Sequence, residues 1–580
     1  MATEQADEKL APESPAGETK DDAFVSQSLG QDETPEDEPE PHIHFRTYAA
    51  VFAVGLIYLV QNFAIVGAGS QGNIIAGIFG DSGDASWLTA ILAIFTVVLG
   101  PIVSQASDYW GRKWFLVVLS FLGGVGSIIV SRATDMAMAM GGFCVVGLAF
   151  GAQPLVHAVS SEVIPRGWRS WGQASAMIST ALGLVSGLLV AGAVNRTGNT
   201  NGFRYYYYIC AGLFILASAI CALAYRPPPT KLQLELNFSE KMARLDWIGY
   251  GLLASSLVLF CIALSWSLNP YQWSDAHVSA TFAVSIILCV ALGIYEWKFR
   301  SDGLFNHGLF QQNRMFTVCL FCVMSEGVAF FAANTYFAFE VNVLYEKDFL
   351  LVTTRFAVGF MATVVASFVT GLYCAKTKKV RWATFIAFLV FIAFFAAMSI
   401  TTKETTQLTW GLPVLMGWGL GMTLVALITA AQLCVPHELI TVASGLLISV
   451  RSLGGTIGIA IYQAVFSSAM NHLPTNVASA AIAAGLPTDS VPSFIQNLTG
   501  QNDTGLALVP GVTPDIIGAG AGALLDTYAL GFRYVWLSAI AFVAVAAVLS
   551  LLMFDPSKEF NHHIDAPVEK NEDLYSTARS

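Results

Sequence analysis

Residues 87–131 read WLTAILAIFTVVLGPIVSQASDYWGRKWFLVVLSFLGGVGSIIVS: two apolar runs of about 20 residues flanking a short charged turn. At 1.5 Å of rise per residue such a run crosses a hydrocarbon layer about 30 Å thick, so the stretch reads as two membrane helices joined at one surface. The pattern repeats along the chain. Fourteen candidate spans fall at residues 47–67, 84–105, 114–131, 137–160, 172–194, 205–225, 246–266, 277–296, 315–341, 351–374, 382–401, 408–433, 443–468 and 530–554. Composition agrees: only 12% of the residues are charged, where a soluble chain has about one quarter. The class expected is an all-α polytopic membrane protein.

The net charge of -11 belongs to one end. Residues 1–40 hold 13 Asp/Glu against Lys9 and Lys20, so residues 41–580 sum to zero. Too polar to bury a core, residues 1–45 are expected to form a disordered acidic tail. An even number of spans puts both termini on one side. Loops on that side (SDYWGRK, EVIPRGWRS, RPPPTK, KTKKVR and their neighbours) carry about fifteen Lys/Arg against Arg132, Arg196, Arg204, Lys347 and Lys403 opposite, which predicts cytoplasmic termini. The tail does not read as a cleavable signal, so the first span is expected to serve as one. The nine scattered cysteines suggest neither a disulfide framework nor a zinc site and read as packing residues.

Small loops between fourteen helices leave no room for a soluble catalytic domain. The chain lacks a P-loop, HExxH and GxSxG, and no carboxylate pair or His cluster sits at helical spacing within a span. Transport is the function class this leaves, with no enzyme activity, cofactor, metal or nucleic acid implied. One extracytosolic segment is long, residues 469–529, with sequons at Asn497 and Asn502; glycosylation there and an unused sequon both fit. The sequon at Asn237 falls on the cytoplasmic side and is expected to stay bare.

The turn SQASDYWGRKWF resembles the signature G-x-x-x-D-x-x-G-R-[KR] of the major facilitator superfamily, with Asp108, Gly111, Arg112 and Lys113 in register and Ser104 at the first glycine. The glycine permits a tight turn, and Asp108 and Arg112 can make charge-assisted bonds to neighbouring helix ends. WLTAILAIFTVVLGPIVSQASDYWGRK and LDWIGYGLL (245–253) are similar to the second and seventh spans of fourteen-helix drug:proton antiporters. SEVIPRGWRSWGQ, YQWSDAHV and GLLISVRSLGGTIGIAIYQAVFSSAM together resemble the fungal trichothecene efflux pump family, whose relatives include fungal siderophore transporters. The resemblance implies two six-helix bundles (46–225 and 301–555) joined by two linker helices (226–300), with a C-terminal tail at 556–580. It also implies a cytoplasmic latch at the signature turn and a monomer in the lipid bilayer, exporting a toxic, largely apolar small molecule with the proton gradient as energy source; the plasma membrane is the expected location, with a vacuolar or vesicular membrane as the alternative. Two departures qualify the antiporter pattern. GLVSGLLVAG in the fifth span keeps Gly183, Gly187 and Gly192 for close packing but has Leu188 in place of the signature proline, and Phe143 stands where relatives often carry an arginine.

By the same resemblance the first, fourth, ninth and twelfth spans line a central cavity, which makes candidates of Gln61, Asn62, Gln153, Asn334, Tyr336 and Gln432. Glu326, near mid-depth of the ninth span, is the leading proton-coupling candidate, with a carboxyl hydrogen-bonded into the bundle as the alternative. His157 is the second, with a structural hydrogen-bonding role as its alternative. Arg451 interrupts the thirteenth span beside Gly454 and Gly458. That GxxxG seam would bring another helix close, so Arg451 reads as a structural or gating residue, or as a contact to an anionic substrate. Proton-coupled siderophore import is a second reading of the same fold, and a non-transporting nutrient sensor a third of another class.

Overall fold

The computed structural model describes residues 41, 43–79, 85–196, 201–229, 231–268, 271–300, 303–304, 306–311, 314–500 and 502–568. The acidic tail expected at 1–45 falls outside these up to residue 40, as do residues 569–580. The described chain from residue 41 forms one compact unit of helices, with no strand among the described residues.

Among the described residues, fourteen helices are long and apolar enough to span a membrane: Phe45–Gly72, Trp87–Trp110, Arg112–Ser131, Met136–Glu162, Arg166–Asn195, Gly202–Ala224, Trp247–Ser267, Ala276–Lys298, Met315–Leu344, Phe349–Thr377, Arg381–Ser399, Leu408–Leu433, His437–Ala483 and Pro514–Ser550. They agree in number and order with the apolar runs, and the differences are at the ends. The fourth span has a break at Gly151 and Ala152, ahead of Pro154, which takes the first turn of the second piece, where a missing N–H costs nothing. The fifth runs unbroken from Arg169 to Asn195, as the absence of the signature proline predicts. The segment 469–529 is largely helical. Leu473–Ala483, Val491–Thr499 and Asp503–Ala507 fold over an N-terminal extension of the last span around Val477, Ala481, Leu486, Phe494 and Ile516.

Helix alternation puts both described ends on one surface, called here the terminus side; Phe45 and Arg46 share a crevice there with Val568. Glycines set where helices touch. A side chain at Gly183 would strike the carbonyl of Leu59 in the first span, and one at Gly192 would strike Leu350 and Thr353 of the tenth. The fifth and tenth spans meet at the other end too, where Ser170 donates to the Gly371 carbonyl (3.0 Å). Gly187 packs on Val66 and Tyr206. The seventh and eighth spans stand beside the second: Leu253 and Leu257 pack with Val97 and Val98, and Tyr250 Oη donates to Gln105 Oε1. Asp246 of the LDWIGYGLL stretch accepts from the Gly249 N–H (2.9 Å) and Tyr295 Oη (2.9 Å), anchoring the seventh span's first turn to the eighth.

Candidate functional site

The thirteenth span lies against the ninth along a seam of small residues. A Cβ at Gly327 would sit on the backbone carbonyl of Arg451, one at Gly454 on that of Met324, and Gly458 faces Val328. This is the close approach that GxxxG predicts, and it brings two charges of opposite sign together. Arg451 Nε donates to Glu326 Oε2 (2.6 Å) and Nη2 donates to Oε1 (3.0 Å). The guanidinium does not snorkel to a surface; it is bound side-on to a carboxylate about 16 Å into the helix from Ile440. Its Cζ also lies 4.8 Å from the Phe330 ring centroid, a cation–π contact.

The pair is asymmetric. Glu326 is fully buried, whereas the Arg451 side chain keeps 15% of its surface exposed and borders a cavity of about 40 Å³, room for a few waters. Tyr58, Asn62, Thr96, Phe150, Gln153, Thr180, Phe330 and Phe331 are among the lining residues, and among the described residues Arg451 is the one charged member of the lining. Glu326 is not in the lining; it stands behind Arg451. Arg451 Nη1 makes no hydrogen bond among the described residues. The cavity thus presents one guanidinium edge among neutral polar groups and aromatic rings, and at about 40 Å³ it would have to widen several-fold to take a ring-bearing ligand.

Of the remaining cavity candidates the structure brings Asn62 and Gln153 into the lining, and places the others elsewhere. Gln61 points away, its Nε2 donating to the Ala149 carbonyl (2.7 Å) to tie the first span to the fourth. Tyr336 Oη donates to Gln463 of the thirteenth span (3.1 Å), and Asn334 does not border the cavity. Helical phase alone does not distinguish a cavity-facing residue from one facing a neighbouring helix, which is why these were read together.

His157 and Gln432 lie on the terminus side of the cavity in a sealed polar network. His157 Nδ1 is 2.7 Å from Gln173 Oε1 and Nε2 is 3.2 Å from Tyr58 Oη. Gln173 Nε2 and Ser161 Oγ both donate to Gln432 Oε1 (3.1 and 2.6 Å), and Gln432 Nε2 donates to Ser444 Oγ (2.8 Å). The network ties the fourth and fifth spans to the twelfth and thirteenth, so His157 and Gln432 close off the terminus side of the cavity rather than line it.

The signature turn completes that closure. Gly111 has φ +90°, a conformation glycine adopts freely, between the second and third spans. Arg112 forms an ion pair with the buried Glu162 at the end of the fourth span, donates to Thr441 Oγ1 of the thirteenth (2.6 Å), and reaches Asp108 at 3.5 Å. Lys113 lies over the Trp114 ring. Ser104, standing at the motif's first glycine, packs instead against Gly445, so the small residue has moved to the partner helix. Sequence reading passed over Glu162, Thr441 and Tyr58; the one available signal was an acidic residue, Glu162, ending an apolar span four residues before Arg166. In the segment 469–529, Asn502 is exposed and Asn497 half-buried, with Asn502 Nδ2 donating to Asn497 Oδ1 (3.2 Å).

The Major Facilitator Superfamily model matches residues 50–459. Among curated relatives, the trichothecene efflux pump of Fusarium sporotrichioides is 22% identical over 91% of this chain and 89% of its own length. The dehydrocurvularin exporter of Alternaria cinerariae is 24% identical, over 83% of this chain and 80% of its own. Among solved structures, a bacterial homolog of the human lysosomal transporter Spinster, inward-facing and unoccupied, aligns with a TM-score of 0.53 at 15% identity, covering 90% of this chain and 98% of that one. The proton:xylose symporter XylE aligns at 0.51 and 12% identity, over 92% and 98%. At such identities the solved structures establish the fold.

Proposed function

Because this chain belongs to the major facilitator superfamily, and its curated relatives are fungal efflux transporters, we propose that it is a proton-coupled exporter of a toxic, largely apolar small molecule, working by alternating access. It is a multi-pass membrane protein and a transporter rather than an enzyme. The finer reading places both termini in the cytoplasm, the protein in the plasma membrane as a monomer, and glycans on Asn497 or Asn502. No cofactor is required beyond the proton gradient.

The observation that carries the proposal is the Glu326–Arg451 pair behind the cavity. With Glu326 ionised the pair is neutral overall, and an apolar occupant beside it meets no net charge. Protonating Glu326 leaves Arg451 as a buried, uncompensated cation, which costs several kcal/mol unless water reaches it. An apolar ligand and the proton therefore disfavour each other, and that negative linkage is what exchange of one for the other requires.

The lining charge supports a second reading. A substrate carrying an anionic oxygen would gain from Arg451 most when Glu326 is protonated, so proton and anion would move together, as in uptake of an anionic metal chelate. Flux of labelled trichothecene and labelled ferric siderophore in cells bearing wild type or Glu326→Gln separates the two. Export predicts toxin retention in cells lacking the protein, import predicts siderophore accumulation that requires it, and movement of neither sinks both.

A further inference from the structure

The C-terminal tail expected at 556–580 is described as far as residue 568, and residues 556–568 cross the terminus side as a strap from one bundle to the other. At its start Asp555 Oδ1 accepts from the backbone N–H groups of Val380 (2.8 Å) and Arg381 (2.9 Å), capping the eleventh span. Phe560 is buried in the core shared with the C-terminal bundle, and Val568 packs on the core of the N-terminal one. Between them the strap pairs with the loop between the fourth and fifth spans. Arg166 N–H donates to the His563 carbonyl (2.9 Å), Gly167 N–H to that of Asn561 (2.7 Å), and Ala566 N–H to that of Glu162 (2.9 Å).

Asp565 sits at the centre of the crossing. Its carboxylate accepts from Arg166 Nη2 (2.7 Å) and forms an ion pair with Arg169, while Glu559 takes Arg166 Nη1 (3.2 Å). The Asp565 and Arg169 side chains are 3% and 1% exposed, so neither charge has water as an alternative partner. Arg169 Nη1 meanwhile donates to the Gln432 carbonyl of the twelfth span (2.8 Å). One carboxylate from the strap thus organises two arginines of the N-terminal bundle, one of which grips the C-terminal bundle.

We propose that residues 555–568 are a latch, and that Asp565 is the positioning residue that holds Arg166 and Arg169 in the closed gate, so that every turnover must break its two ion pairs. Opening the terminus side separates the 162–169 loop from the ends of the eleventh, twelfth and fourteenth spans, and the strap is attached to both. The inference rests on the alternating-access reading but on neither the substrate nor the direction of transport. Removing the Asp565 charge leaves the buried Arg169 without its carboxylate and Arg166 with Glu559, which shifts the equilibrium toward the open terminus side.

The native thiol Cys434, buried at the end of the twelfth span near Glu559, reports the opening; burial pushes its pKa up to about 12, so it is unreactive while the strap is down. The test follows labelling of Cys434 by a membrane-impermeant maleimide in full-length protein otherwise free of cysteine, with a second cysteine at Ile65 on the cavity's far half read separately. Asp565→Asn is expected to label at Cys434 about tenfold faster or more, and at position 65 correspondingly slower, because alternating access makes the two sides reciprocal. Asp565→Glu should stay near wild type, and Arg166→Gln should move the same way as Asp565→Asn by a smaller factor. Unchanged Cys434 labelling in Asp565→Asn and Arg166→Gln overturns the latch, and so does faster labelling at both positions, the signature of general loosening. If Asp565→Asn does not fold, Arg166→Gln alone decides between these outcomes. Absence of any reciprocal change when trichothecene is added to wild type would count against the transport reading, independently of the latch.

Discussion

Of the buried charges among the described residues, two groups, one at mid-depth and one at the terminus side, are wired differently. Glu326 and Arg451 have essentially one partner each, joined edge to edge between adjacent spans. At the terminus side Arg112 is shared among Glu162, Asp108 and Thr441, and Asp565 between Arg166 and Arg169. A two-member pair is dissolved by a single proton. A multiply bonded cluster keeps its remaining contacts when one is lost. The first arrangement suits a switch, the second a clasp.

The largest effect expected is on the switch. Arg451→Leu leaves a buried carboxylate without a partner and should cost about 3–5 kcal/mol, read as a loss of thermal stability of the purified protein, with transport abolished. Replacing both, Glu326→Leu with Arg451→Met, should recover most of that stability while transport stays absent. A double variant as unstable as the single would show that the cost lies elsewhere than in the unpaired charge. Next comes the seam that brings the pair together: Gly327→Val forces the ninth span off the Arg451 carbonyl and should cost about 1–3 kcal/mol, with a fall in transport beyond what reduced protein level explains.

The clasp should respond more mildly. Glu162→Gln removes one of several partners of Arg112, so about 1 kcal/mol is expected, with faster Cys434 labelling and retained folding. A loss as large as that of Arg451→Leu would erase the distinction between the two clusters. The smallest effect is that of pH on the strap. Burial acts to raise the Asp565 pKa, but the hydrogen bond from Arg166 and the charges of Arg169 and Arg166 outweigh it and hold the carboxyl below its ordinary value. The stabilisation is therefore present at and above the ordinary carboxylate pKa of about 3.9 and is lost only as pH falls through the lower folded value. Cys434 labelling, corrected for the thiol's own ionisation, should be flat from about pH 5.5 to 8, and a steep rise in that window would assign the latch to another group.

The spans were legible because apolar length is a local property, and so was the signature turn, whose residues lie within ten positions of one another. What the sequence hid was partnership. Glu326 and Arg451 stand 125 positions apart, and nothing in their spacing joins them until two glycine-bearing faces meet. Gln61 and Asn62 are adjacent in one span, yet one serves helix packing and the other the cavity, because a helix in a bundle has protein on several faces. Arg166 and Arg169 read as markers of sidedness and are also the anchors of the strap. PSKEFNHHIDAPV reads as a polar tail because its order comes from contacts to a loop some 400 positions earlier.

The central claim, that Glu326 is the proton switch behind an apolar-substrate cavity, is tested most directly by proton movement. In proteoliposomes with a pH-sensitive dye inside, adding trichothecene to wild-type protein should drive a proton flux opposite to the substrate, and Glu326→Gln, a fixed mimic of the protonated carboxyl, should bind the compound more weakly and move no protons. Substrate-driven proton flux persisting undiminished in Glu326→Gln would contradict the account.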